Sequence, residues 1–350
     1  MFFGHFLLPS GRRDGTRCMK RSRRVRRRSK YSGKKYKRYK KGYWKRYKKQ
    51  RKQRYRRAIA NIKTRLEDRP DPYEVKESGT PGRPPIPPKD ILVGILIKVL
   101  FDLSYMDTES FLRWLMEGGN CLMRDVPGST TMQEHMEDIP LDYLEEMMKE
   151  CIRVLEGCSV TILMDATGLS TRQYGRWRTS RLSSKKVKRR FVKVHLTLDL
   201  ERKIILMGLS TKGWKGDHAF GLRMLQKIKG RMSRSKVDLD KALGDCGYTS
   251  REIASLIGRM KGKPLLKIKE SHTARRKGSK EWSLMVTFQK EMPREFMKSY
   301  CYRVVIEGII SAMKNIFGLV VRSRKRHNQD VEVLSRLILW NYINIEPEEF

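Results

Sequence analysis

Apolar and polar positions change their spacing near residue 160. Before it the periods are helical. A helix is expected to begin near Pro88-Lys89-Asp90, and DILVGILIKVLFDLSY is apolar on most sides, as a buried helix would be. DTESFLRWLMEG predicts a second helix with Asp107 as N-cap and Gly118-Gly119 closing it. PGSTTMQEHMEDI offers a start at Ser129 or Thr130, and PLDYLEEMMKECIRVLEG a further helix. After residue 160 the runs shorten and alternate. VTILMDATGL predicts a strand ending in Asp165, RFVKVHLTLDL a second and KIILMGLST a third, together an antiparallel meander. Gly216-Asp217-His218 opens a helix. DLDKALGDCGYTS reads as a strand ending at Asp245, followed by a helix capped by Thr249 or Ser250, and KPLLKIK is a fifth strand. A helix over Ser299–Leu319 and a closing amphipathic helix in VRSRKRHNQDVEVLSRLILWNYIN complete the chain.

Three strands, helix, strand, helix, strand, helix is the order of a ribonuclease-H-like α/β fold, a mixed sheet with flanking helices. The expected organisation is a basic arm over 1–69, a stiff Pro-rich linker over 70–88, a helical domain over 89–157 and the sheet domain over 158–345. The Gly-Ser-Thr-Thr segment at 128–131 opens either a recognition helix or a packing helix, so the helical domain serves DNA binding or dimerisation.

Charge changes the picture. The 350 residues carry a formal net charge of +40, which points to a polyanionic partner, nucleic acid before an anionic membrane surface. Residues 11–57 hold 26 Lys or Arg and one acid, Asp14. Repulsion at that density predicts a disordered arm that neutralises phosphates, with Tyr31, Tyr36, Tyr39, Tyr43, Trp44, Tyr47 and Tyr55 available to stack on unpaired bases. A solubilising tail is the alternative. Residues 171–190 hold nine basic residues and no acid, among them Arg172, Arg176, Lys185, Lys186 and Arg189, and read as a loop set against DNA backbone. The six cysteines form no C-x-x-C pair, which argues against zinc and for an intracellular, reduced protein; with a nucleic-acid partner the expected location is cytoplasmic, nucleoid-associated in a prokaryote. The longest apolar segment, Ile91–Leu103, contains Lys98 and Asp102 and is too short to span a bilayer. His5, His135, His195, His272 and His327 show no metal spacing.

The expected helix over Ser299–Leu319 carries Tyr300, Arg303, Glu307 and Lys314, spaced to fall on one stripe. A carboxylate between Arg and Lys suits a hard cation beside a phosphodiester; a solvated ion-pair stripe is the plainer alternative. The pattern Tyr300-x2-Arg303-x3-Glu307-x6-Lys314 resembles the signature helix of insertion-sequence DDE transposases. Gly-Asp245-x-Gly-Tyr is similar to the second-aspartate motif of that family, and Asp165 stands where the first aspartate is expected.

The resemblance implies that Asp165, Asp245 and Glu307 are catalytic metal ligands for Mg²⁺ (or Mn²⁺), two per site. It further implies that Tyr300, Arg303 and Lys314 hold DNA phosphates. The partners would be double-stranded DNA, at element ends and target, and a second copy of the chain when ends are paired, with no membrane and no small-molecule substrate. Asp217-His218 matches a recurring segment of the family, although an N-cap pair is the reading those residues favour. Against this stand a relic that only binds DNA and a basic architectural DNA- or RNA-binding protein.

Overall fold

The alternating segments pair into one mixed sheet in a computed structural model of the chain, which describes residues 43–75, 84–119, 122–171, 191–213 and 216–349. Strands β1 (Ser159–Ser170), β2 (Phe191–Asp199) and β3 (Ile205–Lys212) form the antiparallel meander. β4 (Asp238–Gly244) pairs parallel to β1, and β5 (Lys263–Leu266) parallel to β4. The order β3-β2-β1-β4-β5 is ribonuclease-H-like, with β1 at the centre. Ile162, Leu163 and Met164 are all fully buried, as a strand covered on both faces requires.

Helices supply the covering layers. In chain order they are α1 (Tyr43–Glu67), α2 (Pro88–Phe101), α3 (Tyr105–Glu117), α4 (Ser129–His135) and α5 (Leu141–Glu150). Then come α6 (His218–Arg234), α7 (Arg251–Arg259), α8 (Lys280–Glu291), α9 (Pro293–Tyr300), α10 (Val304–Phe317) and α11 (Arg326–Asn344). Lys48–Phe350 form one compact unit, and one continuous apolar cluster runs through it from Ala58 and Ile62 to Ile345. α2 begins with Pro88 in its first turn, where a missing N–H costs nothing, and buries nearly every residue up to Leu100. α3 is capped three residues earlier than expected: Ser104 Oγ accepts the Asp107 N–H at 3.1 Å, so Asp107 lies in the first turn rather than at the cap. Ser250, not Thr249, caps α7; the Thr249 hydroxyl donates to the Lys267 carbonyl at 2.7 Å.

Besides the arm, whose residues 43–67 form helix α1 with Ala58, Ile62 and Leu66 buried in the core where disorder was expected, two expectations need correction. α11 is not an amphipathic surface helix: fourteen of its nineteen residues are buried. Its polar residues are satisfied inside. The Asn341 side chain spans the backbone of Ile205, accepting its N–H at 2.7 Å and donating to its carbonyl at 2.8 Å, and Glu332 pairs with Arg336 at 2.7 Å. Polar residues at helical spacing imitate a solvated face when their partners lie on distant segments. The second correction concerns residues 280–300, where no helix was expected. Ser279 Oγ accepts the Trp282 N–H at 3.2 Å and starts α8, whose Trp282, Met285 and Val286 are buried; Pro293 then starts α9.

Candidate active site

β1 does not stop at Asp165 but continues to Ser170, paired with β2. What ends near Asp165 is the parallel ladder with β4, whose last pair is Met164 with Gly244. The next residue on each strand is an aspartate, so Asp165 and Asp245 emerge side by side where two neighbouring parallel strands part. Side chains alternate along a strand, so Asp165 shares its face with Thr167 and Leu169. That face lies under α10, whose Ile310, Met313 and Phe317 border a small cavity with Thr167 and Leu169.

Glu307 sits in the first turn of α10 and is exposed, while Arg303 immediately precedes the helix. The Arg303 guanidinium donates from Nη1 to Asp165 Oδ2 at 3.0 Å and from Nη2 to Glu307 Oε1 at 2.6 Å. One planar cation therefore bridges two of the three carboxylates. Asp165 Oδ1 accepts the Ala166 N–H at 2.8 Å, and Asp245 Oδ1 accepts the Gly247 N–H at 2.9 Å. Burial pushes the Asp165 carboxyl above its ordinary range; Ala166 and Arg303 pull it down, and the charges of Asp245 and Glu307 push it up again. Asp245 and Glu307 thus both act electrostatically on Asp165. With Arg303 between Asp165 and Glu307, no group of three or more His, Cys, Asp or Glu is drawn close enough to hold a metal ion among the described residues.

The expected single helix over 299–319 is broken in two. Tyr300 ends α9, a short 3₁₀ turn spans Cys301–Arg303, and α10 follows. Tyr300, expected beside a phosphate, is buried, stacks on Phe296 and donates its hydroxyl to the Gly244 carbonyl at 3.3 Å, bracing β4 just before Asp245. Burial pushes its hydroxyl pKa up to about 12. Lys314 is half-buried beside Thr167 and Leu169, two turns or about 10 Å along the helix axis from Glu307. Arg172, Arg176, Lys185, Lys186 and Arg189 lie outside the described residues, as does residues 1–42 of the basic arm.

A polar cluster behind the site was not anticipated. Asp217 occupies the cap position of α6, yet its side chain caps nothing. It pairs instead with Lys193 Nζ at 2.6 Å and faces His195 Nδ1 at 3.3 Å. His195 is fully buried, with Nε2 at 3.0 Å from Thr211 Oγ1 and Nδ1 at 3.4 Å from the Tyr248 hydroxyl. Alternation in RFVKVHLTLDL places Lys193 and His195 on one face, but nothing local shows that Asp217 meets them.

Burial depresses the His195 pKa to about 4, with Asp217 opposing and Lys193 reinforcing. Between about pH 6.5 and 4 the unfolded chain takes up a proton that the folded chain refuses. Stability is therefore present above pH 6.5 and is lost as pH falls, by up to about 3 kcal/mol from this one group. Urea midpoints measured across that window should fall in the wild type and flatten in His195→Gln.

Among the described residues no helix is long and apolar enough to cross a membrane. Nothing among curated proteins matches the chain. Among solved structures, the Drosophila P element transposase strand transfer complex is similar at a TM-score of 0.29 and 14% identity, over 65% of this chain and 44% of that one. The chain thus spans less than half the length of that relative. Residues 156–342 match the family described as Transposase DDE domain, from just before β1 to the last turns of α11. Because that match takes in the whole sheet and more than half of the chain, the protein belongs to the transposase DDE domain family.

Proposed function

We propose that the chain is a DNA transposase that cleaves at the ends of its own element and joins the freed 3′ ends to target DNA. The observation that carries this reading is the meeting of Asp165 and Asp245 where β1 and β4 part, with Glu307 brought over Asp165 by α10 and linked to it through Arg303. The donor set is all carboxylate oxygen, the chemistry that a hard divalent cation prefers. Asp165 already has its proton affinity raised by burial and by two neighbouring carboxylates, so the pocket favours positive charge. Asp165, Asp245 and Glu307 would hold Mg²⁺ or Mn²⁺. When bound, such ions activate a water or 3′-hydroxyl and stabilise the leaving oxygen of an in-line displacement.

The chain's own groups orient and exchange charge. Tyr300 fixes the Gly244 carbonyl and with it the start of the Asp245 turn. Arg303 neutralises Asp165 and Glu307 in the absence of DNA, and its five N–H donors suit a phosphate once those carboxylates have another cation. Lys314 takes a phosphate farther along the strand. The basic arm and the 171–190 segment add non-specific affinity that weakens with salt. Two copies would pair the element's two ends.

The test is Mg²⁺-dependent nicking of a linear DNA carrying the element end, with wild type against Glu307→Gln. Glu307 is exposed and one of its oxygens is engaged by Arg303, so its amide should lower nicking on the order of 100-fold, about 2.7 kcal/mol in barrier. DNA-end binding should persist. Binding by wild type with no nicking under any divalent cation would instead identify a DNA-binding relic.

A further inference from the structure

Where the sequence predicts a disordered arm, α1 presents an ordered row of cations. From Lys48 to Arg57 seven of ten residues are Lys or Arg, with no acid and no aliphatic. At about 100° per residue, Lys48, Lys49, Lys52, Arg56 and Lys63 fall within an arc of about 100°, and all five are exposed. At about 1.5 Å per residue the row runs about 22 Å along the helix axis. The other side of the helix meets the protein body. Ala58 and Ile62 enter the core, and Asn61 Nδ2 donates to the carbonyls of Tyr342 and Ile345, both at 3.0 Å. Tyr55 packs on Phe101 with ring centroids 5.0 Å apart, and Arg57 pairs with Glu346. These contacts fix the rotation of α1 about its own axis and turn the row outward.

The row opposes the helix that carries it. Lys48 with Lys52, and Lys52 with Arg56, are like charges at i, i+4, which repel. A polyanion laid along the row removes that repulsion, and the residues present discriminate among the candidates. A membrane surface needs an apolar face to insert, and Lys48–Arg57 has no aliphatic residue. A single strand is held by stacking on exposed aromatics. The aromatic in this stretch, Tyr55, is packed on Phe101 and covered by the Arg54 guanidinium at 4.4 Å. A duplex needs only fixed cations set against regularly placed phosphates. The major groove of B-form DNA, about 12 Å wide, admits a helix, whereas that of A-form RNA is too narrow.

We propose that the outer face of α1 is a docking surface for double-stranded DNA, on which the unbroken helix sets Lys48, Lys49, Lys52, Arg56 and Lys63 against the phosphates along one major groove. Four of the five are lysines, point charges suited to phosphate rather than bidentate readers of base edges, so the surface takes duplex of any sequence. A charged tail binds through its charge alone; this surface also depends on the helix that keeps its cations in line. It shares with the proposed function only that DNA is the partner, and it uses none of the three acids.

The test is binding of the full-length protein, in EDTA and across a salt series, to a short fluorescent DNA duplex, to one of its single strands and to the RNA duplex of the same sequence. Lys48→Gln, Lys52→Gln, Arg56→Gln and Lys63→Gln together should reduce the slope of log K against log salt for the DNA duplex by about 3–4, near 0.9 for each lost phosphate contact. An unchanged slope overturns the proposal. Gln53→Pro keeps every cation but kinks α1 between Lys52 and Arg56, so duplex DNA binding should fall about tenfold while binding to the flexible single strand changes less than about twofold. Gln53→Ala, which keeps the helix, should bind as wild type does. Duplex binding by Gln53→Pro equal to wild type, or an equal loss on duplex and single strand, identifies a charged tail and overturns the proposal. An equal loss on the RNA duplex overturns the assignment to DNA. Should Gln53→Pro fail to fold, the glutamine set, which replaces exposed side chains alone, decides the matter. With divalent cations removed, these outcomes are separate from nicking. A chain that nicks DNA while its α1 variants bind normally overturns this proposal alone, and one that binds as expected yet never nicks overturns the catalytic reading alone.

Discussion

Asp165→Asn is expected to lower strand nicking on the order of 10⁴-fold, about 5.4 kcal/mol in barrier, while leaving the fold as stable as before. Asp165 is more enclosed than Glu307. It lies on the central strand, under α10, with its side chain 15% exposed and the other two acids acting on it. Asparagine keeps the shape and keeps an oxygen to accept the Ala166 N–H, now 2.8 Å from Oδ1. What it loses is the negative charge. On the proposed function that charge is what matters, because an amide oxygen is a poor substitute for a carboxylate at a divalent cation. For stability the charge is a burden, since burial and two neighbouring carboxylates raise its cost and Arg303 offsets only part. The variant's unfolding midpoint should therefore match wild type or rise by up to about 1 kcal/mol, the pattern of an active-site group held at the expense of stability. Nicking assays under excess Mg²⁺, paired with urea unfolding, separate the two effects. Nicking within tenfold of wild type would remove Asp165 from the chemistry.

Legibility followed the range of the interaction involved. Strand alternation is local, so β1 to β4 could be read from Val160, Phe191, Ile205 and Leu239 onward; the parallel pairing of Met164 with Gly244, which sets Asp165 beside Asp245, is not local and entered only with the expected ribonuclease-H-like order. The end of β1 could not. The sequence shows an apolar run that stops at Asp165, but Ala166–Ser170 stay in the sheet because β2 continues to pair with them, from Ala166 with His195 to Ser170 with Phe191. The signature residues were visible as a pattern but not as a geometry. Spacing placed Tyr300 on one stripe with Arg303, and the 3₁₀ turn at Cys301–Arg303 moved it to the back of β4. Asp217 was legible only as a helix start. Its partners lie on β2 and in the Asp245 turn, and no periodicity in one element reports on another. α11 failed for the same reason, since Asn341, Glu332 and Arg336 carry polarity whose partners lie on β3 and in the 318–323 segment.

That segment is where the second large effect is expected. Arg336→Met should destabilise the protein by about 4 kcal/mol. Arg336 and Glu332 form an ion pair at 2.7 Å with side chains only 5% and 3% exposed. Arg336 also donates to the carbonyls of Gly318 at 3.1 Å and Val320 at 2.6 Å, while Glu332 accepts the N–H groups of Arg322 and Ser323 and the Ser323 hydroxyl at 2.8 Å. Methionine fills similar volume but leaves a buried carboxylate without its cation and two carbonyls without a donor, the circumstance in which breaking a buried pair costs about 3–5 kcal/mol. Replacing both partners, Arg336→Met with Glu332→Leu, removes the orphaned charge and should recover part of the loss; the N–H groups of Arg322 and Ser323 then lack their acceptor, so recovery stays incomplete. At this chain size 4 kcal/mol corresponds to a fall of roughly 5–7 °C in melting temperature. The consequence reaches the site through the backbone. Gly318, in the left-handed region at φ +82°, ends α10, and the strand-like contact after it pairs Ser170 of β1 with Leu319 and Val321. Arg336 holds the far end of the helix whose first turn carries Glu307. Below its lowered melting temperature the variant should therefore nick less per folded molecule, with Mg²⁺ dependence shifted to higher concentration, whereas a core defect with no bearing on α10 would change stability alone.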